Sequence, residues 1–216
     1  MKTICVYCGS SAGRDPRYIQ AAQTLARALV QREIGLVYGG AHIGVMGALA
    51  DQMLALGGRV IGVIPERLKI PEVMHDGLTE IHITRSMHER KTLMADLADG
   101  FIALPGGIGT LEELFEIWTW AQLGFHDKPC ALLNVAGYYD QLLGFLSHAH
   151  TEGFVSERHR SLMMVEQDVE QLLTQMARYP RTLQRILPLP SIDSAKTGID
   201  TNTDNNAMLA LDERAS

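Results

Sequence analysis

A glycine-rich turn near the middle of the chain carries the strongest signal for chemistry. Residues 105–113 read PGGIGTLEE and stand between an apolar run, 101–104, and an amphipathic run, 111–123. That order predicts a strand, a tight turn and a helix, whose first N–H groups lack intrahelical partners and favour an anion. Glu113 adds a carboxylate one turn into the helix. A binding loop has no need of that carboxylate, whereas a reaction that develops positive charge does.

A second candidate group, Arg90 and Lys91, lies in the first turn of a helix that we expect Ser86 to cap. Cations are unfavourable there, by roughly 0.3–1 kcal/mol each when exposed, because the helix dipole is positive at this end. Residues that break a local rule often lie at functional sites. We therefore expect Arg90 to offer its planar guanidinium, and Lys91 its ammonium, to a phosphate or carboxylate. The alternative is an exposed basic patch paired with Glu89.

Two further glycine-rich loops, at 9–13 and 39–47, follow predicted strands. Three such loops are better evidence for a phosphate-containing ligand than one, and Ser10 and Gly40 are our candidates for ligand contacts in the first two. The glycines could equally serve turn geometry alone, and for these two loops both interpretations stay open. The GxxxxGK[ST] and GxGxxG phosphate patterns are not met.

Short apolar runs alternate with longer helical patterns, which predicts the scaffold that holds these loops. Strands are expected near 3–8, 34–38, 59–64, 79–83, 101–104, 129–134 and 161–165, and helices near 16–32, 44–57, 87–98, 110–123, 138–152 and 168–178. Continuous apolar runs such as 60–64 suit parallel strands that are buried on both faces. We expect a single Rossmann-like, doubly wound parallel sheet of about seven strands with helices on both faces. Ligands of such sheets bind beyond the carboxyl ends of the strands, where the candidate loops lie.

Length, composition and charge exclude several classes of protein. The 216 residues, 46% apolar and 20% charged, suit one globular domain, which we place at 1–187, followed by a polar, disordered tail at 188–216. The net charge of −6 disfavours nucleic acid as a partner. No apolar run approaches the ~20 residues that span a membrane, and no signal peptide is recognised, so we expect a cytoplasmic protein. The cysteines and histidines lack metal-ligand spacing, so we expect no metal.

Residues 105–113, together with MHERK at 87–91, resemble the LOG (Lonely Guy) family. CGSS at 8–11, the loop 39–47 and WTWAQLG at 118–124 also resemble it, and the resemblance covers roughly residues 1–178. It implies a Rossmann-like fold, usually a homodimer, that hydrolyses the N-glycosidic bond of cytokinin riboside 5′-monophosphates. Many bacterial members also cleave AMP. An older family label, possible lysine decarboxylase, has little support here, because a pyridoxal enzyme needs a lysine Schiff base and an acidic partner for the ring nitrogen.

The resemblance also implies roles for particular residues. It places the catalytic pair on Arg90 and Glu113 and implies a nucleoside 5′-monophosphate substrate with no cofactor. Implied contacts to the nucleotide are Glu72, Lys91, Gly107, Ile108, Gly109, Thr110, Leu111, Glu112 and Thr119. We expect Arg90 to lower the pKa of Glu113 and hold it ionised. Two alternatives stay open: a nucleotide or molybdenum-cofactor carrier without catalysis, and a scaffold that only dimerises.

Overall fold

The computed structural model describes residues 1–180, and their strands all join one parallel sheet. The predicted tail at 188–216 and the end of the predicted domain lie outside the described residues. The strands are β1 Thr3–Tyr7, β2 Gly35–Tyr38, β3 Val60–Pro65, β4 Glu80–Thr84, β5 Phe101–Ala103, β6 Cys130–Leu133 and β7 Met163–Glu166. The helices are α1 Arg17–Gln31, α2 Gly44–Ala55, α3 Met87–Leu97, α4 Ile108–Leu123, α5 Asp140–Thr151, α6 Glu157–Arg160 and α7 Val169–Arg178.

The order of the strands creates a crevice at the centre of the sheet. The order is β4-β3-β2-β1-β5-β6-β7, so the chain winds outward in one direction from β1 and then restarts on its other side at β5. β1 and β5 pair in parallel with Val6 opposite Ile102. Their carboxyl ends are therefore level, and the N–H of Gly9 donates to the carbonyl of Pro105 at 3.1 Å. The crevice expected at such a reversal lies between these two loops.

Both faces of the sheet are buried, as the continuous apolar runs predicted. Along β1, Ile4 and Val6 point to the face covered by α1, α2 and α7, while Cys5 and Tyr7 point to the face covered by α3 and α4. This alternation follows from the two-residue period of a strand. A smaller cluster joins α4 and α5 to β5 and β6. The architecture confirms the predicted doubly wound parallel sheet.

The predicted elements are all present, with boundaries within 2 residues of the expected ones. The short helix α6 was missed because a single turn is too short to show a helical period. Within residues 1–180, no helix is long and apolar enough to cross a membrane. Ser86 caps α3 as expected, since its hydroxyl oxygen accepts the N–H of Glu89 at 3.1 Å.

Candidate active site

The turn between β5 and α4 is open to solvent at residues 107–109. Gly107 is the N-cap of α4 and Ile108, the first helical residue, is 88% exposed. A Cβ atom added at Gly107 or at Gly109 would meet no atom of the described chain within 4 Å. Thr110, by contrast, is buried against Gly106, where an added Cβ would lie 2.1 Å from the threonine Oγ1. Backbone N–H groups at the start of α4 can therefore reach a ligand that approaches over Gly107 and Gly109.

Arg90 and Glu113 form a buried ion pair at the end of this turn. Arg90 Nη2 lies 3.3 Å from Glu113 Oε1, and the two side chains are only 10% and 11% exposed. The guanidinium is also anchored by its Nε, which donates to the carbonyl of Val63 at 3.1 Å. The predicted catalytic pair is thus brought together from α3 and α4, across the carboxyl end of the sheet.

Gly39, which we did not predict as a site residue, makes room for this guanidinium. A Cβ added there would lie 2.4 Å from Arg90 Nη2 and 2.5 Å from the terminal methyl of Met46. The sequence signal was the glycine pair at 39–40, from which we chose Gly40. Gly40 has a φ of +78°, and its carbonyl accepts the N–H of His75 at 2.9 Å.

The electrostatic environment of Glu113 differs from the expected one. Burial raises the pKa of Glu113 above the ordinary glutamate value, and this effect exceeds the opposing effect of Arg90. Glu112 and Glu116 raise the pKa of Glu113 further, whereas Lys91 lowers it. Arg90 lowers the pKa of Glu113 as expected, but burial outweighs it and the net pKa is raised, because the sequence showed the arginine but not the loss of solvent. A carboxylate with a raised pKa is a stronger proton acceptor.

Lys91 contacts the acidic face of α4. Its Nζ donates to Glu112 Oε1 at 2.5 Å and to Glu116 Oε1 at 3.0 Å. Burial lowers the pKa of Lys91, but the hydrogen bonds to Glu112 and Glu116 together with the attraction of their charges outweigh it, and the net pKa is raised. The alternative of an exposed basic patch paired with Glu89 is wrong, because Arg90 and Lys91 are buried and Glu89 Oε2 instead accepts the N–H of Arg85 at 2.8 Å.

One cavity of about 440 Å³ is lined by many of the predicted site residues. Seven of the predicted residues line it, namely Ser10, Arg90, Gly107, Ile108, Gly109, Thr110 and Glu113. Apolar side chains form most of the remaining wall, including those of Ile43, Met46, Ile64, Leu68 and Val73. A cavity that is lined by an exposed helix N-terminus, a buried ion pair and apolar side chains fits a phosphorylated ligand with an apolar part.

The other predicted residues do not line this cavity within the described chain. Leu111 packs against the α4–α5 cluster, and Thr119 is exposed on α4 with its hydroxyl donating to the carbonyl of Phe115 at 2.6 Å. Glu72 is exposed in the segment between β3 and β4. The remaining residues outside the cavity lining are those whose contacts are described above, namely Gly40, Lys91 and Glu112.

A covering segment, residues 66–79, supplies part of the apolar wall through Leu68 and Val73, whereas Glu72 was its predicted site residue. The segment is held down by a bridge between Ala41 and Met74 and by His42, whose N–H donates to the carbonyl of Val73 at 2.9 Å. The ring of His75 pairs with Asp51 of α2 at 3.0 Å, which ties the segment to the scaffold. Within residues 1–180, no cluster of histidine, cysteine or acidic residues could hold a metal ion.

Known proteins resemble this chain along most of its length. Residues 46–176 match the family model described as "possible lysine decarboxylase". A cytokinin riboside 5′-monophosphate phosphoribohydrolase of Rhodococcoides fascians is 51% identical over 170 residues, which cover 78% of this chain and 86% of the relative. One of that name from Arabidopsis thaliana is 50% identical over 179 residues, or 82% of each chain.

Solved structures with the same fold are more distant in sequence. The molybdenum cofactor carrier protein of Chlamydomonas reinhardtii superposes with a TM-score of 0.62 at 20% identity, covering 82% of this chain and 97% of that chain. The molybdenum cofactor binding protein of Rippkaea orientalis gives 0.63 at 20% identity, with the same coverage. At this level of identity the likeness concerns the fold alone.

Proposed function

Because the chain belongs to the LOG family of cytokinin riboside 5′-monophosphate phosphoribohydrolases, we propose that it hydrolyses the N-glycosidic bond of these nucleotides. The products are the free base and ribose 5-phosphate. The observation that carries the proposal is the buried pair of Arg90 and Glu113, which lies in one cavity with the exposed start of α4. The 5′-phosphate of such a substrate requires an anion site, and the reaction at C1′ of its ribose requires a carboxylate.

The open end of α4 accounts for the 5′-phosphate. The first N–H groups of the helix and its dipole attract an anion, and the glycines at 107 and 109 let the phosphate oxygens come close to the backbone. Binding energy from this remote group holds the ribose in a reactive position. A nucleoside, which lacks the phosphate, should therefore bind less tightly than the monophosphate and also react more slowly once bound.

Glu113 accounts for the chemistry at C1′ of the ribose. Cleavage of the bond between C1′ and the base nitrogen develops positive charge on the sugar, as in other glycoside hydrolyses. The ionised Glu113 stabilises that charge and accepts a proton from the attacking water. The electron pair of the broken bond leaves with the base, which takes up one proton, so that one water molecule is consumed. Arg90 holds the Glu113 carboxylate in place, since it is itself fixed to Val63.

The apolar wall of the cavity supports a hydrolase that accepts more than one base. We include AMP among the substrates, as the resemblance implies for many bacterial members, and Ile43, Leu68 and Val73 offer apolar surface to a base with or without an apolar substituent at N6. Lysine decarboxylation has no support in the site, since Lys91 is engaged by two carboxylates and lies outside the cavity.

A homodimer in the cytoplasm belongs to the same proposal. The nucleotide contacts that the resemblance assigns to Glu72 and Thr119 fall on exposed surface outside the cavity. A second copy of the chain would bring such residues to the site of its partner. Sedimentation of the purified protein tests this part, and a monomer at all concentrations would contradict it.

Product analysis tests the proposed reaction. The protein is incubated in parallel with isopentenyladenosine 5′-monophosphate, with AMP and with the two corresponding nucleosides. We expect free base and ribose 5-phosphate from the monophosphates, and the two rates give the preference between bases. Tight binding of the monophosphates without release of any base would instead indicate a carrier.

A further inference from the structure

Two consecutive tyrosines hold the carbonyl groups that lead into the turn between β5 and α4. The hydroxyl of Tyr138 donates to the carbonyl of Gly106 at 2.6 Å. The hydroxyl of Tyr139 donates to the carbonyl of Leu104 at 2.7 Å. The carbonyl between these two accepts the N–H of Gly9 at 3.1 Å. Three successive carbonyls are therefore fixed just before the N-cap of α4.

We propose that Tyr138 is a positioning residue, which orients the N–H of Gly107 toward the substrate phosphate by holding the carbonyl of Gly106. The inference rests on the proposed function, since it concerns the phosphate end of the same site. This carbonyl and this N–H belong to one planar trans peptide group, so they point in opposite directions and move together. A hydrogen bond that fixes the carbonyl of Gly106 thus also fixes the direction of the N–H of Gly107.

The N–H of Gly107 is free to meet a ligand. Gly107 is the N-cap of α4, and within residues 1–180 its N–H donates to no other atom of the chain. Gly107 lines the cavity of about 440 Å³ that contains the Arg90–Glu113 pair, and also a cavity of about 280 Å³ that Tyr138 lines. The hydrogen bond from Tyr138 polarises the peptide group, which makes its N–H a stronger donor to an anion.

The ring of Tyr138 is held by aromatic neighbours and does not depend on its hydroxyl. It packs edge-on against Tyr18 and Tyr139, with ring centroids 5.5 and 4.9 Å apart. Tyr138 is 41% exposed, so water could satisfy the carbonyl of Gly106 in place of the hydroxyl. Loss of the hydroxyl should therefore cost the fold little, and its effect should appear in the orientation of the peptide group.

The connection between β6 and α5 is shaped to present Tyr138. Ala136 has a φ of +54°, which is uncommon for a residue other than glycine. The side chain of Asn134 fixes this turn, because its Oδ1 accepts the N–H of Tyr139 at 2.8 Å and its Nδ2 donates to Asp140 Oδ1 at 2.7 Å. Such conformations persist where the surrounding contacts impose them, and they cluster at functional sites.

Binding of ribose 5-phosphate to Tyr138→Phe tests the proposal, since this ligand carries the phosphate but no bond to a base. Calorimetry should show roughly tenfold weaker binding than in wild type, the loss expected when a hydrogen bond to a charged group is misaligned. In kinetics, the ratio of kcat/KM for isopentenyladenosine 5′-monophosphate to that for the nucleoside should fall by about the same factor. The nucleoside itself should react as in wild type, because it has no phosphate to place.

The amide resonance of Gly107 supplies a readout that a direct contact between the hydroxyl and the ligand would not move. The resonance is recorded in ligand-free protein with isotope-labelled glycine and is assigned by its absence from Gly107→Ala. In Tyr138→Phe its nitrogen should shift upfield, because the aromatic ring is kept while the peptide group loses the hydrogen bond to its carbonyl. Weakened binding with an unshifted resonance would mean that the hydroxyl contacts the ligand itself, which would overturn the positioning role.

Tyr38→Phe is the matched control, since it makes the same chemical change away from the turn. Tyr38 is fully buried, and its hydroxyl has no hydrogen-bond partner among the described residues. Binding, the kinetic ratio and the Gly107 resonance should all match wild type. Tyr139→Phe shows the effect of damage to the fold, because it removes a buried hydrogen bond and should lower the thermal midpoint, whereas Tyr138→Phe should keep it.

The outcomes separate this inference from the proposed function. A wild-type protein that releases no base from any monophosphate overturns the proposed function, and ribose 5-phosphate binding and the Gly107 resonance still decide the inference. An active wild type with a Tyr138→Phe variant that binds ribose 5-phosphate as tightly as wild type overturns the inference alone.

Discussion

Two glycine-rich turns at the same edge of the sheet use glycine for different reasons. In the packed turn, residues 39–47, a Cβ at Gly44 would lie 2.3 Å from the carbonyl carbon of Ser10, and one at Gly47 would lie 2.0 Å from the carbonyl oxygen of His42. In the open turn, residues 106–110, Gly107 and Gly109 have no described neighbour within 4 Å of such an atom.

The difference shows which glycines are explained by contacts within the described chain and which are better explained by a bound ligand. Close contacts with backbone atoms account fully for Gly44 and Gly47, and Gly44 also has a φ of +62°. Neither reason applies to Gly107 or Gly109, which leave space in front of exposed N–H groups. That space is what a phosphate needs in order to reach the backbone. The open turn is therefore the better candidate for a ligand site, although the two sequences look equally glycine-rich.

The largest effect is expected from Glu113→Gln, which removes the reactive group that the open turn presents. The substitution keeps size and removes the negative charge, so kcat should fall by about 10³-fold while the affinity for the nucleotide is retained. Single-turnover rates and calorimetric binding of AMP measure the two quantities. Near-normal turnover in this variant would rule out Glu113 as the catalytic carboxylate.

Gly39→Ala probes the packed turn where it supports the catalytic pair. The new methyl would lie 2.4 Å from Arg90 Nη2, the atom that contacts Glu113, so the guanidinium must shift and this contact is disturbed. We expect kcat to fall by about 10²-fold through this displacement. Unchanged kcat in a folded variant would show that the position of Arg90 is not critical.

Gly47→Ala should damage stability. Its Cβ would lie 2.0 Å from a backbone oxygen, which cannot rotate away as a side chain can. Overpacking of this kind costs about 1–3 kcal/mol, more than alanine gains in a helix. Urea denaturation gives the free energy of unfolding, and a variant as stable as wild type would remove the distinction between the two turns.

Gly109→Ala is the matched substitution in the open turn and should have the smallest effect on the fold. Gly109 also lies in the first turn of a helix, so alanine should leave stability unchanged or raise it by up to about 1 kcal/mol. Its methyl occupies the approach to the backbone, so we expect KM for the monophosphate to rise about tenfold. A destabilised Gly109→Ala protein would indicate a packing role that the described neighbours do not account for.

The sequence was sufficient to predict the scaffold because the apolar residues of strands and helices recur with different periods. The apolar run at 60–64 and the helical pattern at 87–98 each predicted an element that the structure contains as β3 and α3. The pairing of Arg90 with Glu113 came instead from the resemblance to known proteins. The distance of 3.3 Å depends on how α3 crosses α4, which no local pattern contains.

The parts of the site that sequence reasoning missed all depend on three-dimensional surroundings. Glu113 has a raised pKa because the fold buries it, and Lys91 is engaged because α4 presents Glu112 and Glu116 toward it. The apolar contribution of the covering segment was missed because residues 66–79 show neither the period of a helix nor that of a strand. The segment is ordered by a single helical turn at Glu66–Leu68 and by one bridge. The two glycine turns likewise differ in the atoms that surround each glycine and not in residue type.

The most direct test is the ratio of kcat/KM for isopentenyladenosine 5′-monophosphate to that for the nucleoside, measured in wild type and in Gly109→Ala. Phosphate binding at the open turn should give wild type a large ratio, because remote binding energy is used at the reacting bond. The ratio should fall in Gly109→Ala while the slow reaction of the nucleoside is unchanged. Equal ratios in the two proteins would contradict the assignment of the open turn to the phosphate.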